Sequence, residues 1–174
     1  MTRFEDILDV DFAQLSEPNV IAMSAVFAAA TTIGTMVITI PIGPGVFNVG
    51  EIVIYTAAFL FGGVVGGLAG GVGAAAADIL LGYGMWAPIT FVVKGLEGFV
   101  VGQVAGESGL SKAIAVALGA PFMIVGYFVA AWILVGGPYA IGNELPMDIV
   151  QAVVGFAVAY PLSMALEDRL PELR

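Results

Sequence analysis

Cysteine and histidine are both absent from the 174 residues. Without cysteine there is no disulfide and no thiolate metal site, and without histidine the commonest proton shuttle and metal ligand is missing. Basic residues are scarce too, with five lysines and arginines against fourteen aspartates and glutamates and a formal net charge of −9. No nucleic-acid partner is expected of such a chain. Charge of either sign is rare: 11% of the residues are charged, 60% are hydrophobic, and the mean hydropathy is +1.03. A water-soluble domain of this length would not tolerate that balance, so the solvent for most of the chain is lipid. Backbone groups at membrane depth must be satisfied by helices or a closed barrel, and the long apolar runs lack the period-two alternation of barrel strands. The amino terminus, MTRFEDILDVDF, lacks the basic start and apolar core of a secretory signal peptide, so no cleaved leader is expected.

What is present is a series of apolar segments divided by glycine, proline and charge. Six are placed at about 20–40, 51–61, 64–81, 86–104, 113–135 and 147–166. The run Pro41-Ile42-Gly43-Pro44-Gly45 ends the first, and Pro121 is expected to kink the fifth. The predicted fold class is therefore an all-α membrane protein, a six-transmembrane-helix bundle in one domain over residues 19–168. An acidic segment over 1–18 precedes it and a short tail over 169–174 follows. In the acidic segment Phe4, Ile7, Leu8, Phe12 and Leu15 follow helical spacing, largely opposite Glu5, Asp6, Asp9 and Asp11. Six spans put both termini on one side. The basic residues read as lying outside the membrane, Arg3, Lys112, Arg169 and Arg174, all fall on that side, which the positive-inside tendency makes cytoplasmic. The outer face then carries the connections over 41–50, 82–85 and 136–146. The expected location is a prokaryotic cell membrane, and a sequence pI near 4.1 suits a salt-rich, halophilic archaeal cytoplasm.

Glu51, Asp78, Lys94 and Glu97 interrupt this apolar sequence within a short stretch of chain. A charge at the centre of a membrane helix costs roughly 2.5–3.5 kcal/mol, so such residues face a bundle interior, pair with one another or meet a polar ligand. Lys94 and Glu97 are three apart and share a helix face, which allows a direct pair. Three carboxylates against one ammonium leave a surplus of negative charge, to be relieved by protonation, water or a donor-bearing ligand. One reading is a structural network that fixes helix register; the sharper one is a polar pocket open to the outside. Phe47, Tyr83, Trp86 and Tyr139 lie near the outer ends of spans and suit a flat ring, while Asn48 and Asn143 offer donors and acceptors. Aromatic residues also gather at membrane interfaces regardless of function.

The stretch GGVVGGLAGGVGAAAA from Gly62 carries small residues every fourth position along two ridges, which lets several helices approach closely. Ala25 and Ala29 form a shorter ridge of the same kind. Two nucleotide lookalikes fail. Gly71-Val72-Gly73 lies inside an apolar helix with no preceding strand, and Lys112 in GESGLSKA has neither the glycine before it nor the hydroxyl residue after it that a phosphate loop requires. No nucleotide hydrolysis by this chain and no cofactor are expected, so the chain is not read as an enzyme.

The string FNVGEIVIYTAAFLFGGVVGGLAGGVGAAAADILLGY, followed by WAPITFVVKGLEGFVVG, resembles the substrate-binding S component of energy-coupling factor (ECF) vitamin transporters. It is most similar to the branch with riboflavin, pyridoxine and hydroxymethylpyrimidine carriers. The resemblance covers about residues 22–102. It implies a six-helix protein that captures a vitamin or vitamin precursor from outside, with a transmembrane T component and two cytoplasmic ATPase subunits as partners. It also implies a lid at residues 41–50, assistance from 136–146, and contact with the T component through Ala25 and Ala29. A carboxylate-rich site favours a donor-rich ring such as hydroxymethylpyrimidine, pyridoxine or thiamine, because an ionised carboxylate only accepts hydrogen bonds; riboflavin is the alternative. Two readings from other classes stay open: a stand-alone ion-coupled transporter using Asp78 or Glu97, and a ligand-free membrane scaffold.

Overall fold

The computed structural model describes residues 16–42, 45–167 and 169; residues 1–15 of the acidic amino-terminal segment lie outside them, as does most of the tail. Helix α1 (Pro18–Val37) leads into a two-stranded antiparallel ribbon, β1 (Thr39–Ile42) and β2 (Gly45–Asn48). Next come α2 (Gly50–Leu68), a π-helical stretch (Ala69–Ala74) and α3 (Ala75–Leu81). Helices α4 (Ala87–Val104) and α5 (Gly109–Leu134) follow, then the short α6 (Gly137–Tyr139), a second π-helical stretch (Ala140–Glu144) and α7 (Leu145–Glu167). Local chemistry sets many of these ends. Pro18 opens α1, where its missing N–H is no loss. Ser108 caps α5 by accepting from the Ser111 N–H at 3.1 Å. Gly82, at φ 87°, supplies the left-handed turn that closes α3.

The polarity is that of a protein dissolved in lipid. Ile21, Val26, Ile33 and Val37 of α1, Leu118, Val125, Val129 and Ile133 of α5, and Ile149, Val153 and Val158 of α7 are exposed. The buried positions include Ser24, Thr31, Thr35, Glu51, Thr56, Asp78, Thr90, Lys94, Glu97, Asp148 and Gln151. Among the described residues, five helical stretches are long and apolar enough to cross a membrane: Pro18–Val37, Gly50–Leu81, Ala87–Val104, Gly109–Leu134 and Gly137–Glu167. The chain is thus a mostly helical, multi-pass membrane protein. With apolar lipid outside, close packing rather than water exclusion holds such helices together.

The stretch Gly50–Leu81 doubles back on itself. Gly62 stands at φ 80°, ψ −171°, outside helical geometry. A methyl on Gly66 would lie 2.8 Å from the Ala58 Cβ, and one on Gly70 would lie 3.4 Å from the Ile54 Cγ2. In a continuous helix, residues 54 and 70 would stand about 24 Å apart at 1.5 Å per residue. Residues 50–61 and 63–81 are therefore antiparallel arms of a hairpin. Helix α4 packs antiparallel on the second arm at backbone contact: a Cβ at Gly66 would meet the Gly98 carbonyl at 2.6 Å, and one at Gly71 the Phe91 carbonyl at 2.9 Å. The glycine ridges read from the sequence are consumed in large part by this internal interface.

Several expectations are corrected. The connection over 41–50, read as a loop, contains strand residues on both sides. The β-branched Thr39, Ile40, Ile42 and Val46 favour extended backbone, and Thr39 pairs with Asn48 while Ile40 pairs with Phe47. The third segment carries a π-helical stretch over Ala69–Ala74, within its run of glycine and alanine. The connection over 136–146, read as a loop, is largely helical. Lys112 is not on the surface: it is 1% exposed, pairs with Glu167 at 2.8 Å and sits over the Phe59 and Tyr160 rings. A lysine at a helix end reaches back over apolar surface to a partner more cheaply than it leaves one unpaired.

Because the hairpin and α4 meet backbone to backbone, Gly66→Val is expected to destabilise the protein by about 1–3 kcal/mol, the usual cost of forcing methyl groups into a packed core. Gly142→Ala, where an added Cβ meets nothing within 4 Å, is the matched control. Thermal unfolding in mild detergent checks the pair: equal melting temperatures would refute the close packing.

Candidate functional site

Lys94 is the centre of the buried charges. Its ammonium, carried by α4, donates to Glu51 Oε1 on α2, to Glu97 Oε2 one turn along α4 at 3.3 Å, and to the Met123 sulfur on α5. It also stands 5.7 Å from the centroid of the Tyr127 ring. Glu97 Oε1 accepts from the Tyr55 hydroxyl at 2.6 Å. Lys94, Glu51, Glu97 and Tyr55 are all at most 3% exposed, so one ammonium ties three helices together in the buried interior. Room for Glu51 and Tyr55 comes from α7: a Cβ at Gly155 would collide with Glu51 Cβ and approach the Tyr55 ring to 3.1 Å.

A second network lies beside the first. Asp78 Oδ2 on α3 accepts from the Thr90 hydroxyl at 2.5 Å, and the Thr90 oxygen accepts from the Tyr127 hydroxyl at 2.9 Å. Trp86 packs edge-on against Tyr127 at 6.2 Å between ring centroids. A third set joins the β-ribbon to α7. Gln151 Oε1 accepts from the Asn48 N–H at 2.6 Å, and Asn48 Oδ1 accepts from the Gly50 N–H at 2.8 Å.

These networks surround a narrow slot beneath the β-ribbon. Of the residues singled out from the sequence, Asn48, Asp78, Tyr83, Trp86 and Lys94 line it. Glu51 and Glu97 stand behind Lys94 and act on the slot through it. Phe47, Tyr139 and Asn143 are not on its wall. For Phe47 the reason is the strand's alternation: Val46 and Asn48 face the slot and their neighbour faces away. The sequence reading missed Thr90, Tyr127, Glu144, Asp148 and Gln151, which complete the wall. Asp148 and Gln151 carried a usable signal, since they are polar residues three apart in an otherwise apolar segment. The slot holds about 40 Å³, room for a few water molecules. A larger opening of about 540 Å³ lies at the far, Gly62 end of the bundle, among Met23, Phe59, Phe61, Gly102 and Glu107, and contains none of the candidate residues. No metal-binding cluster of acidic residues occurs among the described residues. Ala25 and Ala29 are exposed along α1.

Comparison with known proteins gives three matches. Residues 17–168 match the family described as the S component of the ECF-type riboflavin transporter. A Pyrococcus woesei protein, described only as an uncharacterized protein in the gap 3′ region, is 41% identical over 145 residues, covering 81% of this chain and 97% of that one. The thiamine precursor transporter HmpT of Lactococcus lactis is 29% identical over 151 residues, covering 84% of this chain and 87% of its own length.

Removing the ammonium while leaving its carboxylates should be costly. Lys94→Met is expected to lower stability by about 3–5 kcal/mol, as for other broken buried pairs, because Glu51 and Glu97 then stay buried without a cation. Adding Glu51→Gln and Glu97→Gln should recover much of the loss. Melting temperatures of the single and triple variants in detergent check this, and a Lys94→Met protein as stable as the parent would refute it.

Proposed function

The chain belongs to the ECF-type riboflavin transporter S component family, the substrate-binding subunit of a membrane transporter, and on that footing we propose that it captures a vitamin or vitamin precursor in the slot beneath the β-ribbon. The observation that carries the reading is the convergence of Asn48, Asp78, Tyr83, Trp86 and Lys94, from β2, α3, the turn after it and α4, on one polar slot inside an apolar bundle. Polar groups this deep are expensive unless they do something, and a slot of convergent acceptors and aromatic walls suits ligand capture.

The reversal at Gly62 supports counting Gly50–Leu81 as two spans, hence six in all with both termini on one side. Lys112 is buried, so the proposed orientation, with the termini in the cytoplasm and the β-ribbon outside, is supported chiefly by Arg3, Arg169 and Arg174. A slot of about 40 Å³ cannot admit a ring. The β-ribbon, held to α7 through the Asn48–Gln151 bond, therefore acts as a lid that opens to load ligand. Transport would be completed by a transmembrane T component and two cytoplasmic ATPase subunits, with the exposed Ala25 and Ala29 of α1 as the docking ridge. The carboxylates on the slot favour a donor-rich ring, as in hydroxymethylpyrimidine, pyridoxine or thiamine, and the relationship to a thiamine precursor transporter is consistent with that choice. Riboflavin, the substrate in the family's description, is the second reading.

Mass spectrometry of ligand released from the purified protein, followed by titration with pyrimidines, pyridoxine, thiamine and riboflavin, tests the reading. Stoichiometric submicromolar binding of one of them is expected; a folded protein that binds none would shift weight to an ion-coupled carrier or a scaffold. Asp78→Lys should abolish that binding while the protein still inserts and folds, and normal affinity in the variant would remove Asp78 from the site. Ala25→Leu combined with Ala29→Leu should leave ligand affinity unchanged but prevent ATP-driven uptake with the partner subunits. Undiminished uptake would show that α1 is not the docking ridge.

A further inference from the structure

The carboxylate of Asp148 is the unfinished part of the slot. It is 3% exposed, lies on the slot wall, and its Oδ2 has no hydrogen-bond partner. Asp78 is met by Thr90 and Glu97 by Tyr55 and Lys94; Glu51 has Lys94 on one oxygen and, like Asp148, a second oxygen without a partner, but Glu51 carries an ion pair and does not line the slot. An ammonium has three donors, and Lys94 directs them to Glu51, Glu97 and Met123, so none remains for Asp148. The half-buried Glu144 lies four residues earlier and Asp78 stands on the same slot, while Lys94 is the one basic residue lining it. The wall thus presents three carboxylates of its own beside an ammonium already committed to two others. Buried acceptors without donors are costly, and a buried carboxylate without a counter-charge more so.

We propose that Asp148 anchors the ligand by a two-point hydrogen bond to an edge carrying two adjacent N–H donors, and thereby selects a basic amino-azine ring over a ring presenting carbonyl groups. The proposal rests on the vitamin-binding reading and narrows it. An aminopyrimidine protonated on its ring nitrogen offers such an edge, and a carboxylate accepts it side by side as it accepts a guanidinium. The added positive charge also offsets the acidic surplus on the wall. A ring whose edge carries a carbonyl oxygen would point an acceptor at an acceptor, leaving Asp148 unsatisfied, and sites built for a particular donor reject analogues lacking it strongly. The same face of α7 carries Gln151, three residues on, which holds the Asn48 N–H of the β-ribbon. Anchoring at Asp148 therefore draws the ligand toward the helix that also fastens the lid.

The test is a titration of the purified protein with two probes, hydroxymethylpyrimidine bearing its exocyclic amine and the counterpart in which a carbonyl replaces that amine, alongside riboflavin. The intact protein is expected to prefer the amine by about 100-fold or more. In Asp148→Asn, which keeps the shape, affinity for the amine should fall by at least about 30-fold and most of the preference should vanish, as expected for loss of a charge-assisted pair. An unchanged preference in Asp148→Asn overturns the assignment. Equal binding of both probes by the intact protein overturns it without any variant, so a variant that fails to fold does not shield it. Tight riboflavin binding with neither pyrimidine bound overturns it while leaving the vitamin-binding reading intact. Binding of no vitamin at all overturns both.

Discussion

One ammonium in the buried interior organises this bundle. Lys94 reaches carboxylates on α2 and α4 and a sulfur on α5, and through Glu97 it is linked to Tyr55. In lipid there is little hydrophobic gain from bringing helices together, so specific polar bonds and close packing must decide which faces meet. A buried charge also penalises every arrangement in which it loses its partners. Lys94 thereby sets the rotation of α4 about its own axis, and with it the direction in which Thr90 meets Asp78.

That ammonium reaches its partners because glycine lets α4 approach. The arm after Gly62 and α4 touch along their backbones, with Gly66 against Gly98 and Gly71 against Phe91. Any larger residue would hold the helices apart and move Lys94 away from Glu51. The same economy explains Gly155 on α7, which leaves space for Glu51 and the Tyr55 ring. Sequence that looks featureless, a run of glycine and alanine, is thus what allows the charged residues to meet. The slot follows from the same geometry: a polar floor of Lys94, Asp78 and Thr90, aromatic sides from Trp86 and Tyr127, and a roof made of a short β-ribbon whose Asn48 N–H is held by Gln151 of α7.

Much of this was legible in the amino-acid sequence, and the misses have physical causes. Long apolar runs specified helices because lipid leaves a backbone few other ways to satisfy itself. Glu51, Asp78, Lys94 and Glu97 stood out because each is anomalous in its own local context. Thr90 and Tyr127 did not, since a threonine or tyrosine in a membrane helix is ordinary until its neighbours are known. The β-ribbon was read as a loop because its glycine and proline signals were stronger than four-residue strands can outweigh. The break near Gly62 was legible, since the glycine-rich run begins there, whereas the burial of Lys112 against Glu167 and the Phe59 ring depends on contacts between distant positions.

The sequence by itself determined that this chain dissolves in lipid as helices, that its few internal charges are out of place among apolar residues, and which family it resembles. Those conclusions depend on composition, periodicity and local strings, which are complete within each segment. Only the tertiary structure decided which carboxylates share Lys94, that Asp148 stands on the slot without a partner, and that the β-ribbon is fastened to α7. Those are matters of contact between distant positions, Asn48 and Gln151 being 103 residues apart, and no local pattern encodes which of many buried polar groups will meet once the helices have packed.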